Sequence, residues 1–222
     1  MGELMKGQVE LMLQQHRELL LGDFAVAVGD LSCQTIWTEF TVKRRINYAF
    51  ETDNVDVRGT LHELPFIANS IDVFCLSLTL EYSQYPHTLL REINRCISAE
   101  GVVVITGFNP FSLTSLCRLL PISNIDWFRS AQFLPPARLI DWLHLLDFEV
   151  QIQQSYLLSD LIFAHKPWLQ GRFDLWCQEY LTGFGSLYTV IAKKRTVPLS
   201  WHRNTRPSRP KLVSATSNFR QV

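Results

Sequence analysis

The segment DVRGTLHELPFIANSIDVFCLSLTLEYSQYPHTLLREINRCISAEGVVVITGFNP, Asp56 to Pro110, carries the pattern from which the rest of the chain is read. Asp56 heads a short strand that runs toward a turn at Leu64-Pro65-Phe66. Ser70 and Ile71 introduce a second strand, the apolar run Asp72 to Leu76. Pro86 opens an amphipathic helix reaching Ile97, with Leu89, Leu90, Ile93, Cys96 and Ile97 on one face and Arg91, Glu92 and Arg95 elsewhere. Ala99-Glu100-Gly101 then reads as a turn into another apolar run, Val102 to Phe108. Short continuous apolar runs separated by an amphipathic helix are the pattern of parallel strands buried on both faces. Ligands of such sheets bind at the carboxyl ends of the strands. Here that edge takes in Thr60 to Leu64, Ser77 to Tyr82 and Phe108 to Ser112.

On the N-terminal side, residues 3–20 place Leu4, Met5, Val9, Met12, Leu13, Leu19 and Leu20 at helical spacing, with Gly22-Asp23 as the stop. Phe24 to Val28 is a short buried strand followed by Gly29-Asp30-Leu31-Ser32-Cys33. Ile36, Thr38, Phe40 and Val42 alternate with other residues, as do Ile46, Tyr48 and Phe50 across Lys43-Arg44-Arg45. That alternation predicts a β-hairpin or two short strands, with Lys43 to Arg45 as a solvated turn. On the C-terminal side, residues 113–136 bring Leu113, Leu116, Leu119, Leu120, Trp127, Phe128 and Phe133, which suit a lid, a minor core or a dimer face equally. Arg138 to Leu146 predicts a helix, Asp147 to Val150 the start of a sixth strand, and Ser186 to Lys193 a last strand. Leu157 to Tyr180 is rich in aromatics. The chain thus reads as one α/β domain, 1–195, with an insertion at 113–136 and a basic, disordered tail at 196–222.

With 222 residues, 47 % of them hydrophobic, the chain is large enough for a sizeable core. Lys plus Arg and Asp plus Glu are balanced at 21 each, which gives no global case for nucleic-acid binding. From Lys193 onward, however, there is no acidic residue, so the tail is a candidate contact for RNA or an acidic partner. No apolar run approaches the roughly 18 residues of a membrane span. Glu3, Glu10 and Glu18 interrupt the N-terminal apolar residues, unlike a signal peptide. Five scattered cysteines without a C-x-x-C pair read as free thiols in the cytoplasm, and no metal site is expected.

In order and spacing, Leu64-Pro65-Phe66, Asp72-Val73, Leu80-Glu81-Tyr82, Leu90-Arg91-Glu92 and Gly101 to Thr106 resemble the latter half of a known family. It is the class I S-adenosylmethionine-dependent methyltransferases of the small-molecule, type 11-like kind. A weaker likeness extends over most of the first 195 residues. The resemblance implies an α/β, Rossmann-like doubly wound sheet of about seven strands, mostly parallel with an antiparallel last strand. It also implies S-adenosylmethionine as cofactor and a small-molecule methyl acceptor. Gly29 stands at the first glycine of the family's glycine-rich motif, while Leu31 and Cys33 stand where the second and third are usual. Ala27 occupies the usual acidic position, and Asp30 is the carboxylate that remains for the cofactor's amino group. Glu51 or Asp53 is the counterpart of the acid that grips the ribose diol. Thr60 stands at the adenine-binding Asp, flanked by Gly59, which permits close approach, and Leu61, which would cover the adenine face. Ser77 is placed for backbone contacts to the methionine part.

Among catalytic candidates, Glu81 suits a base or substrate-orienting role, or else a surface or helix-start role. Asn109 suits donation to substrate or capping of the turn before Pro110. His62 is a lone histidine on a loop. Methyl transfer from a sulfonium is an in-line displacement, in which alignment and exclusion of water contribute most and a base is needed only for an acceptor that must lose a proton. The function implied is methyl transfer to a small molecule. The alternative, suggested by the altered glycine motif, is a catalytically inactive binding or regulatory module on the same fold.

Overall fold

The computed structural model of the chain describes residues 2–34, 42–50, 55–112, 131–156 and 185–195. Its strands are β1 (Gly22–Val28), β2 (Val42–Ala49), β3 (Val57–Arg58), β4 (Ile71–Ser77), β5 (Ile97–Phe108), β6 (Phe148–Tyr156) and β7 (Leu187–Lys194). They form one sheet in the order β3-β2-β1-β4-β5-β7-β6. The first five strands run parallel. β7 enters antiparallel between β5 and β6. The parallel strands are those expected from the apolar runs, and the doubly wound order with its antiparallel last strand is the one the resemblance implies.

Strict alternation along the central strands divides the core in two. Val26, Val28, Phe74, Leu76, Val103 and Ile105 pack on one face with Leu89, Leu90 and Ile93 of α4 (Pro86–Cys96) and Leu139 and Leu143 of α5 (Pro136–Leu145). Ala25, Ala27, Val73, Cys75, Val102 and Val104 meet Val9, Met12 and Leu13 of α1 (Gly2–Gln15) on the other. Apolar side chains on both faces exclude water from the strands, which is why they read as unbroken hydrophobic runs.

Several local expectations differ. Lys43 to Arg45 do not form a turn: Val42–Ala49 is one continuous strand, parallel to β1 in register from Gly22↔Val42 to Val28↔Tyr48. Each basic residue there has a local anchor. Lys43 pairs with Asp23 at 2.7 Å, Arg44 lies over the Phe24 ring, and Arg45 donates to the carbonyls of Ser32 and Cys33. Gly22 begins β1 rather than stopping the first helix, and it must be small because a side chain there would collide with Asp72. Ala99 to Gly101 is not a turn but the bulged opening of a longer β5, with Glu100 at φ 63° and a register shift between Ile71 and Val73. Asp147 adopts φ 62° two residues past the end of α5. The hairpin expectation for residues 36–41, the insertion at 113–130, the aromatic stretch 157–184 and the tail 196–222 lie outside the described residues.

Candidate functional site

β1, β4 and β5 all end at one edge, and the residues just past each end are knotted together. Gly29 leaves β1 at φ 89°, in the left-handed region that a side chain resists. Its N–H donates to the Tyr48 carbonyl at 2.9 Å. A Cβ at this position would run into the Thr79 hydroxyl, which itself donates to the Val28 carbonyl at 2.6 Å. The glycine is therefore required twice, by its torsion and by its neighbour. Asp30 follows, exposed, as the first residue of the short helix α2 (Asp30–Gln34).

Ser32 on α2 is buried, and its Oγ accepts the N–H of Ser77 at 2.6 Å. This bond ties α2 to the end of β4 and engages the Ser77 amide that the family resemblance assigns to the methionine part of a cofactor. Ser32 was not singled out in the sequence, since a lone Ser in a short polar stretch carries no signal. Leu31, at the place of a usual glycine, packs on a small apolar cluster of Leu78, Phe108 and Leu187 with Phe133. Leu78 itself is held at φ 56°, strained for a leucine, directly before α3 (Thr79–Tyr82).

On the β2–β3 side, the buried Tyr48 donates its hydroxyl to the Thr60 carbonyl at 2.6 Å. Gly59 makes room for that ring, since a Cβ there would lie 3.1 Å from ring carbons and closer to the hydroxyl. The Thr60 side chain is left exposed, and Leu61 packs partly against the main core. Beyond it, the Leu64-Pro65-Phe66 turn is fixed to α4. Arg95 donates to the Leu64 and Phe66 carbonyls, and Glu92 accepts the Leu64 N–H. His62 sits against Tyr85 with ring centroids 5.2 Å apart. Glu51 and Asp53 lie outside the described residues.

Glu81 and Asn109 meet the edge from the β4 and β5 ends. Glu81 is buried, and its Oε1 accepts the Phe108 N–H at 3.1 Å while Oε2 has no hydrogen-bond partner. Burial pushes its carboxyl up to about 8. Asn109 Oδ1 accepts the Phe111 N–H at 3.1 Å, closing the turn ahead of the edge. Burial pushes the thiols of Cys33 and Cys75 up to about 11 and about 12, so both stay protonated at neutral pH. Among the described residues no cluster of His, Cys, Asp and Glu is arranged to hold a metal ion, and no helix is long and apolar enough to cross a membrane.

Comparison with known proteins places this geometry. Residues 22–105 match the family model described as methyltransferase domain. The Escherichia coli (strain K12) protein described as uncharacterized protein YafS is 29 % identical over 221 residues, 99 % of this chain and 89 % of that protein. A SAM-dependent methyltransferase from Archaeoglobus fulgidus superimposes with a TM-score of 0.63 at 18 % identity, covering 85 % of this chain and 94 % of that one. A Haloferax volcanii complex of the Trm112 methyltransferase activator and a methyltransferase gives 0.58 at 17 % identity, covering 86 % and 95 %. The resemblance read from Asp56 to Pro110 is borne out, and the strand order and the antiparallel β7 are those of that fold.

Proposed function

We propose that this chain, which has the fold of the class I S-adenosylmethionine-dependent methyltransferases, binds S-adenosylmethionine and transfers its methyl group to a small-molecule acceptor. The observation that carries this reading is the Gly29 turn. Residue 29 ends the central strand at a torsion only glycine tolerates well, with Asp30 exposed beside it. The residues present fit an adenosyl cofactor at two places. The Gly29–Asp30 backbone would pass along its methionine part, with the Asp30 carboxylate on the amino group. The Gly59–Leu61 loop, held by Tyr48, would take the adenine, with the Thr60 hydroxyl as a neutral acceptor. The cofactor supplies an electrophilic methyl on a sulfonium. The protein's part is to align the acceptor with it and exclude water.

Titration calorimetry with S-adenosylmethionine and S-adenosylhomocysteine tests this directly. Micromolar binding, about 8 kcal/mol, weakened tenfold or more by Asp30→Ala, is the expected result. Absence of heat from well-folded protein would overturn it. A second reading, a binding or regulatory module without catalysis, is favoured by two observations: Leu31 fills space that glycines usually leave, and Ser32 engages the Ser77 amide. The Haloferax structure of this fold contains an activator protein, so a protein partner belongs in either reading. The basic 196–222 segment is a further contact candidate for RNA or an acidic partner. Salt-sensitive RNA binding that disappears when the segment is deleted is the test.

A further inference from the structure

Glu81 and Tyr188 form a buried arrangement that the fold leaves half satisfied. Glu81 is the one buried carboxylate among the described residues, and only its Oε1 is satisfied, by the Phe108 N–H. Tyr188, on β7, is fully buried, and its hydroxyl also lacks a partner. The two meet over Gly107, which pairs with Tyr188 across the β5–β7 ladder. A Cβ on Gly107 would strike Glu81 Oε1 and lie 2.6 Å from the Tyr188 hydroxyl. An unmatched buried polar group costs about 1–3 kcal/mol, more when charged. Glu81 Oε1 and the Tyr188 hydroxyl both crowd Gly107 near the carboxyl end of β5, and each residue keeps one unmatched oxygen, Glu81 Oε2 and the Tyr188 hydroxyl, that a ligand at this edge would complete. The chain departs from and returns to this same edge: the Gln132 N–H donates to the Glu81 carbonyl at 2.8 Å, and the Asn109 N–H to the Ser186 carbonyl at 3.0 Å.

We propose that Glu81 and Tyr188, brought together over Gly107, are the polar contacts of the methyl acceptor, and that the acceptor reacts through an N–H or O–H group. This rests on the methyl-transfer reading above. The acceptor's nitrogen or oxygen lone pair forms the new bond to the methyl carbon. The carbon–sulfur bond breaks with its electron pair left on sulfur, and the acceptor's proton passes to Glu81 Oε2. The Tyr188 hydroxyl holds the acceptor in place. A buried carboxyl near 8 can be deprotonated before the transfer and hold the proton after it. The titratable groups that face it are Tyr188 from β7 and Tyr82 from its own helix; burial, and after it the charge of Glu81, raises both of theirs.

The test uses full-length protein with S-adenosylhomocysteine, titrated with phenol, aniline and, as a control without a donor, toluene. Binding is followed by calorimetry and by the carbon-13 resonance of the Glu81 carboxyl. Phenol and aniline are expected to bind and to move that resonance. Glu81→Gln and Tyr188→Phe should each weaken them tenfold or more, with toluene and S-adenosylhomocysteine affinity unchanged. Equal binding to the variants, or a Glu81 resonance that no fragment moves, would overturn the proposal. Should Glu81→Gln fail to fold, Tyr188→Phe and the wild-type resonance decide it. Failure of S-adenosylhomocysteine to bind would instead sink the methyl-transfer reading, and the same fragments on the unloaded protein would still decide whether the polar pair is a site.

Discussion

At the scale of single residues, the informative positions are those where a small group is required by a large or polar neighbour. Gly29→Ala would force a side chain into the left-handed region and against Thr79. A loss of about 2 kcal/mol, seen as a lower melting temperature, is expected. Glu81 makes a different prediction. Its folded carboxyl titrates near 8, above the unfolded range near 4, so between those values the folded state holds a proton that the unfolded state has released. Stability should therefore fall as pH rises through that window, by an amount of the order of 5 kcal/mol. Denaturant melts of Glu81→Gln should show that slope removed, and unchanged slopes would refute the assignment. A glycine inside an apolar strand marks close approach of a neighbour, yet within VVVITGF the Gly107 position carries no sign of what approaches it. Its partner Tyr188 sits on a strand far along the chain, so only the fold brings the two together.

At the scale of elements, the Arg95–Glu92 pair joins α4 to the Leu64-Pro65-Phe66 turn and so positions the loop carrying Thr60. Arg95→Ala should cost little, about 1 kcal/mol. Hydrogen exchange at the Leu64 amide should nevertheless accelerate, and protection equal to wild type would show that the turn needs no such link. The strands of the Asp56–Pro110 segment were readable because burial on both faces writes itself as continuous apolar runs. β2 was misread for the opposite reason. Lys43, Arg44 and Arg45 look like a solvated turn, yet each finds its partner on a neighbouring element: Asp23, the Phe24 ring and the end of α2. Ala99 to Gly101 misled in the same way, since a bulge uses the same small and polar residues as a turn. Asp147 holds a left-handed torsion, φ 62°, at the entry to β6. Asp147→Gly should relieve its positive torsion and stabilise the protein by about 0.5–1 kcal/mol in thermal melts.

At the scale of the whole molecule, the sheet order fixes which parts must arrive together. Lys194, at the end of β7, donates to the carbonyls of Asn94 and Ile97, and so latches the last strand to the end of α4. A chain shortened to residue 195 keeps that latch and is expected to melt within about 2 °C of full length, a change below about 1 kcal/mol. The placement of β7 between β5 and β6 also bears on how the protein is made. At about 5–20 residues per second, roughly 2–6 seconds separate the synthesis of β6 from that of β7. Throughout that interval the edge of β5 and all of β6 are without their neighbour, since both bond only to the strand still to come. The nascent chain thus presents open strand edges to the cell until its final strand emerges, a template for mispairing that arises from where that strand inserts.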